Sequence, residues 1–149
     1  KGNVKNLVNA HDVIVDCSDN ASTRYLLGDC AHNQGRALVF GGAVRMEGQL
    51  AVFQSNVAGH VGTACYRCLF PSMPDAKQAP GCSEAGILGA VTGIVGSLQA
   101  LETVKLCMGQ ASDLTGSLLL IEAGQTEFTK ITTARRNDCS CCGANQAAS

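Results

Sequence analysis

The sequence has 149 residues, 46% of them hydrophobic, enough for one domain with a core of its own. Its 11 basic and 12 acidic residues give a formal net charge of −1 with no basic cluster, so a nucleic-acid or anionic-membrane surface has no electrostatic support. The most apolar uncharged stretch, 85–101, is 17 residues with four glycines, short of the roughly 20 apolar residues of a spanning helix, and no apolar signal segment opens the chain. Lysine stands first and an apolar strand follows soon after, so the chain reads as a fragment of a longer protein.

In chain order, Val13, Ile14 and Val15 form a short apolar run that reads as a buried parallel strand. It ends in Asp16, Cys17, Ser18, Asp19 and Asn20. Residues 23–34 predict a helix with Leu26, Leu27, Cys30 and Ala31 on one face and Gly35 as its C-cap. Residues 37–41 and 49–54 are two further apolar strands joined by a connection over 42–48. Alternating strand and helix point to an α/β domain.

From 56 to 83 the chain changes character: all three prolines and three cysteines lie there, the mark of a long loop. Long ordered loops are usually functional or tied down. A strong helix follows, with Ile87, Val91, Ile94, Leu98, Leu101 and Lys105 as its stripe. Gly86, Gly89, Gly93 and Gly96 give it a second face almost without side chains. Each glycine costs a helix about 0.5–1 kcal/mol relative to alanine, so this face is expected to lie close against another backbone. Gly109 is the C-cap. Residues 118–121 and 127–132 read as two late strands, and 144–149 as a disordered tail.

Nine cysteines without a secretory signal argue for metal or thiol chemistry in a reducing compartment rather than a disulfide framework. Cys65 with Cys68, and Cys139 with Cys142, are Cys-x-x-Cys pairs. Such spacing turns two thiolates toward one ion, and two pairs complete a tetrahedral structural zinc site, with Cys141 left over. The pairs are 70 residues apart, so the site would tie the long loop to the end of the chain. Independent buried or redox cysteines are the competing reading.

Ligands of open α/β sheets sit beyond the carboxyl ends of strands. There, Asp19 could hold Mg²⁺ on a nucleotide's phosphates, Asn20 could bond ribose or phosphate, and Arg24 could add charge. Alternatively Asp19 or Asn20 simply caps the next helix. No G-x-G-x-x-G follows any strand, so the phosphate cradle is not in this sequence. Cys82, at the loop exit before the glycine-striped helix, is a candidate nucleophile or an inert loop thiol. Cys17, Cys30 and Cys107 read as small buried hydrophobes.

These constellations, in this order, resemble the ThiF/MoeB/E1-like adenylating enzymes, including the adenylyltransferase domain of the eukaryotic adenylyltransferase-sulfurtransferases. The matching stretches are Asp16-Cys17-Ser18-Asp19-Asn20 with Arg24-Tyr25-Leu26, then Arg45-Met46-Glu47-Gly48-Gln49. Cys65-Tyr66-Arg67-Cys68-Leu69-Phe70-Pro71 follows, then Cys82-Ser83-Glu84-Ala85-Gly86-Ile87-Leu88-Gly89 and Gly93-Ile94-Val95-Gly96-Ser97-Leu98-Gln99-Ala100-Leu101-Glu102. Arg135-Arg136 through Cys139 to Gly143 close the series.

The resemblance covers residues 8–143 and implies an α/β fold with a Rossmann-like ATP site. It makes 1–143 the C-terminal part of an adenylation domain: a portion of a mixed sheet with flanking helices and a zinc-stapled loop. It also implies a cytoplasmic homodimer that uses ATP and Mg²⁺ to adenylate the C-terminal glycine of a ubiquitin-like, β-grasp sulfur carrier ending in Gly-Gly. The product would serve molybdopterin synthesis or tRNA 2-thiolation. In this resemblance Asp19 holds Mg²⁺-ATP, Asn20 lies at the nucleotide, and Cys65, Cys68, Cys139 and Cys142 bind zinc. Cys82 stands where eukaryotic members carry a thioester- or persulfide-forming cysteine.

The sequence departs from the family in three respects. It lacks the glycine-rich loop with its phosphate-contacting arginines and lysine, 56–64 is longer than usual, and no rhodanese domain follows Gly143. Two other readings stand beside the activating enzyme: a non-catalytic zinc scaffold that binds a ubiquitin-like partner, and an NAD(P)-dependent Rossmann enzyme. The missing glycine fingerprint disfavours the second.

Overall fold

A computed structural model describes residues 2–74 and 86–143, and every structural statement below concerns these residues. Five strands form one sheet in the order β1-β2-β3-β4-β5: β1 (Val13–Asp16), β2 (Ala37–Val44), β3 (Glu47–Phe53), β4 (Ser117–Glu122) and β5 (Glu127–Thr132). The β1–β2 pair is parallel and the other three pairs are antiparallel. Four helices accompany them: α1 (Val4–Asn9), α2 (Ala21–Asn33), α3 (Tyr66–Leu69) and α4 (Gly89–Cys107).

The two-residue alternation of the strands sorts the core into two faces. Leu38 and Phe40 of β2 with Ala51 and Phe53 of β3 meet Tyr25 and Ala31 of α2 and Tyr66 of α3. On the other face Val39, Leu50 and Val52 pack with Leu98 of α4, while Val91 and Val95 of α4 meet Ile121. The sheet is thus sandwiched between α2 with α3 and α4.

Several expectations change. The connection 42–48 is a tight hairpin: pairing runs to Val44 opposite Glu47, and Arg45 turns the chain at φ 53°, the positive φ that short hairpins demand. Helix α2 buries Tyr25, Gly28 and Ala31, with Gly35 in the left-handed region just past its end. Gly86 lies before α4, not in it, at φ +72°.

The buried positions of α4 are Val91, Val95, Gln99 and Glu102, a stripe rotated from the expected one. The expected close packing of the helix glycines is not made, because a Cβ at Gly89, Gly93 or Gly96 would meet nothing within 4 Å. The close approach comes from the sheet. A Cβ at Gly48 would lie 2.7 Å from Val95 Cγ2, and one at Gly41 would lie 2.3 Å from Gln99 Cδ. Strand β1 is less buried than its sequence suggested, with Val15 40% exposed. It ends the sheet and has a described strand on one side only.

Candidate metal centre and strand-end site

Cys65 caps the single turn of α3, and the Cys68 amide donates to the Cys65 carbonyl at 3.0 Å, which brings both thiols to one side. A matching turn forms at the far end of the described chain, where the Gly143 amide donates to the Cys139 carbonyl at 3.0 Å. Only glycine fits there, because a Cβ at Gly143 would fall 2.5 Å from that carbonyl oxygen.

The structure brings Cys65, Cys68, Cys139 and Cys142 together, all buried, with sulfurs within 4.8 Å of one another. Three separations are 3.8 Å for Cys65–Cys68, 3.5 Å for Cys65–Cys139 and 3.3 Å for Cys68–Cys142. Zinc–sulfur bonds of about 2.3 Å in a tetrahedron place sulfurs about 3.8 Å apart, so the quartet has the size of a tetrathiolate metal site. Backbone amides support it: Arg136 N–H donates to Cys68 Sγ at 3.3 Å and Cys141 N–H to Cys139 Sγ at 3.4 Å. Cys141 stands outside the quartet.

The thiols are electrostatically uneven. Burial pushes Cys68 and Cys142 up. The Cys65 thiol is raised first by its interaction with Cys141 and then by burial. Burial works to raise Cys139 too, but amides and neighbouring thiols outweigh it and bring this group down to about 7. Three buried thiols held toward the neutral form, beside a fourth already shifted toward the thiolate, can become thiolates together when a cation binds.

The residues between Cys65 and Cys68 anchor the knuckle. Tyr66 enters the core, 5.6 Å from Phe40 and 5.1 Å from Tyr25 between ring centroids, and Gly28 makes room for it. Arg67 forms a two-pronged ion pair with Asp29 of α2 at 2.6 and 2.8 Å and lies over the Tyr25 ring. Arg135 donates to the Cys142 carbonyl.

The second site lies at the carboxyl ends of the parallel strands β1 and β2. Asp16 is fully buried, and its Oδ1 accepts from the Ser18 amide at 2.9 Å and hydroxyl at 2.6 Å. Asn20 is the N-cap of α2, accepting from Thr23 N–H at 2.9 Å and from the Ser22 hydroxyl at 2.8 Å. Arg24 donates to the carbonyls of Gly41 at 3.0 Å and Ser18 at 2.6 Å, its guanidinium over the Phe40 ring.

A cavity of about 180 Å³ opens here, lined by Cys17, Asp19 and Arg24 together with the small residues Gly41, Gly42 and Gly96. Ile87 also lines it. Its chain is clamped to the β2–β3 turn, where Arg45 N–H donates to the Gly86 carbonyl and Leu88 N–H to the Arg45 carbonyl. The Asp19 carboxylate, which lines the cavity, takes a single long contact, from Asn20 Nδ2 at 3.4 Å.

Cys82 lies outside the described residues. Cys17 is exposed and lines the cavity, not the core expected of it, and Cys107 is exposed as well, whereas Cys30 is half-buried. Gln99 of α4 also lines the cavity. Sequence reasoning assigned it no role of its own, although an amide within a largely apolar helix is the signal that could have found it.

No helix among the described residues is long and apolar enough to cross a membrane. The sequence matches the ThiF family over residues 1–142. It is 46% identical over 138 residues to the adenylyltransferase and sulfurtransferase MOCS3 of Bos taurus, covering 92% of this chain and 29% of that protein. Against the MOCS3 of Aedes aegypti it is 40% identical over 144 residues, covering 96% and 32%. The chain therefore spans about a third of the length of these curated relatives.

Among solved structures, E. coli MccB superposes with a TM-score of 0.68 at 14% identity, over 95% of this chain and 42% of that one. A heterocyclase in complex with substrate and cofactor gives 0.67 at 17% identity, over 94% and 22%. These likenesses show a shared fold, the mixed α/β arrangement described above. With the family match and the level of identity to its relatives, the conclusion is direct: this chain belongs to the ThiF family.

Proposed function

We propose that this chain supplies part of an ATP-dependent adenylation site acting on the C-terminal carboxylate of a ubiquitin-like sulfur carrier. Residues 1–143 would form the portion of the adenylation domain that holds the metal knuckle and the strand-end loop. The observation that carries the reading is the Asp19 carboxylate at the carboxyl end of a parallel strand pair, in a chain 46% identical to an adenylyltransferase. In the reaction, a carrier carboxylate oxygen bonds to the α-phosphorus of ATP, the α–β bridging P–O bond breaks, and pyrophosphate leaves with the electron pair.

Asp19 would hold Mg²⁺, which when bound offsets phosphate charge. Asn20 would remain near the nucleotide while capping α2, and Arg24 would contribute positive charge, with Nη1 and Nη2 each also holding a backbone carbonyl. Gly96, with open space where a Cβ would stand, leaves one part of the wall with little but backbone, which suits an extended Gly-Gly tail. Cys82 would accept the activated acyl group or pass on sulfur, for molybdopterin synthesis or tRNA 2-thiolation.

The Cys65, Cys68, Cys139 and Cys142 quartet fits structural Zn²⁺, having four thiol ligands and no open position. Free thiols throughout the described chain suit a reducing compartment, the cytoplasm. The outer side of α4, with Leu101 and Val104 more than half exposed, suits a homodimer contact.

The test is ATP–pyrophosphate exchange by the full-length protein. Exchange should depend on a β-grasp carrier ending in Gly-Gly and should fall by about two orders of magnitude in Asp19→Asn. Exchange that ignores the carrier, or survives Asp19→Asn undiminished, would refute the reading.

A further inference from the structure

Gln99 is 4% exposed, in the middle of a helix whose other core-facing residues include Val91 and Val95. A buried amide destabilises the fold unless its hydrogen bonds are made, and an aliphatic side chain would pack there more simply. Here the amide reaches the ends of both parallel strands. Its Nε2 donates to the Asp16 carbonyl at 2.9 Å and the Val39 carbonyl at 3.3 Å, and its Oε1 accepts from Cys17 Sγ at 3.6 Å. Gly41 is the opening through which it passes, since a Cβ there would fall 2.3 Å from Gln99 Cδ and 2.4 Å from Oε1.

The loop that follows β1 is tied down along its length. The Asp16 carbonyl is held by Gln99, the Asp16 carboxylate by Ser18, the Ser18 carbonyl by Arg24, and the Asn20 side chain by the first turn of α2. Asp19 is left with one long contact, facing the cavity. Of these ties only that of Gln99 comes from an element on the opposite face of the sheet. It fixes the point where the backbone leaves the strand, from which the position of everything later in the loop follows.

We propose that Gln99 is a positioning residue for the strand-end site, setting where the Asp19 carboxylate stands without itself touching nucleotide or cation. The inference rests on Asp19 as the Mg²⁺-nucleotide ligand. It makes α4 a working part of the site, and it accounts for a polar side chain and a strand glycine that packing alone does not require.

The test uses the full-length protein and two readouts: calorimetric binding of ATP over a Mg²⁺ titration, and pyrophosphate exchange over the same titration. Gln99→Leu removes every tie. Gln99→Glu keeps the shape and the acceptor but loses the Nε2 donors, and covers the case in which the leucine variant folds poorly. Both should raise the Mg²⁺ concentration needed for half-maximal ATP binding about tenfold, with zinc content unchanged. Gly41→Ala should shift it in the same direction, and the Gly41→Ala/Gln99→Ala pair should be no worse than Gln99→Ala alone, because the shortened side chain leaves room for the methyl.

A wild-type Mg²⁺ requirement in both Gln99 variants would overturn the positioning role, as would lower thermal stability and turnover with that requirement unmoved. Wild-type protein that binds ATP equally with and without Mg²⁺ would instead overturn the Asp19 assignment and the positioning role with it. The two failures are therefore distinguishable.

Discussion

Gly41 and Gly48 lie under α4, and Gly89, Gly93 and Gly96 lie on it, yet only the first two are there for lack of space. At Gly48 an added methyl would sit 2.7 Å from Val95 Cγ2 and 3.3 Å from Ile121 Cβ, two stiff β-branched side chains. Gly48→Ala should therefore destabilise the chain by about 1–3 kcal/mol. Gly93→Ala, with open space around its Cβ and helical backbone, should stabilise it by about 0.5–1 kcal/mol. Urea unfolding of both variants checks the pair, and the opposite order would mean that α4 is rotated from the position described here.

That rotation is where residue-level reading of the sequence failed. Val91 and Leu98 of the expected stripe do face the core, but Ile94 and Leu101 lie outside it and Val95 inside, a choice that apolar periodicity alone does not make. What chooses is Gln99, whose amide finds carbonyl partners only at the strand ends. The conformational demand of Gly41 and Gly48 was equally hidden, because it arises from a helix about 50 residues later in the sequence.

Among the described helices, α3 is the shortest. Its N-cap and its one turn carry Cys65 and Cys68 of the thiol quartet, its Tyr66 fills the core beside Phe40, and its Arg67 is bolted to α2 through Asp29. The quartet was legible because Cys-x-x-Cys is a local spacing with a chemical consequence; the anchoring was not, since Tyr66 and Arg67 are unremarkable in sequence. The β2–β3 hairpin was read only in part: strands at 37–41 and 49–54 understate a pairing that runs to Val44 and Glu47, where Gly41 and Gly48 admit α4.

With buried thiols on Cys65, Cys68 and Cys142 held above their ordinary range, metal binding must displace protons. The sign follows: metal-derived stability is present at neutral and higher pH and is lost as pH falls and the thiols reprotonate. Reduced protein should contain about one zinc per chain by elemental analysis. A chelator should lower the thermal midpoint, more readily at pH 6 than at pH 8. A chain equally stable with and without chelator at both values would remove the metal from the account.

At the scale of the molecule, a mixed sheet with a helical layer on each face places one parallel strand pair so that its carboxyl ends open onto a small-walled cavity. The metal knuckle stands behind the same face as α2, joined to it through Arg67 and Tyr66. The α/β class and the strand-end site were readable from apolar runs ending in Asp16 to Asn20. The antiparallel majority of the sheet was not, because strand direction is set by the hairpin and by pairings distant in sequence.

Chemistry at that cavity is the central claim, and intact-mass analysis of the carrier tests it most directly. After incubation of full-length protein with Mg²⁺-ATP and a Gly-Gly-ended β-grasp protein, the carrier should gain the mass of one adenylyl group. It should gain nothing when its terminal glycine is removed or when Asp19→Asn replaces the wild type. A carrier that remains unmodified with the wild-type protein, or gains the same mass without its terminal glycine, would contradict the account.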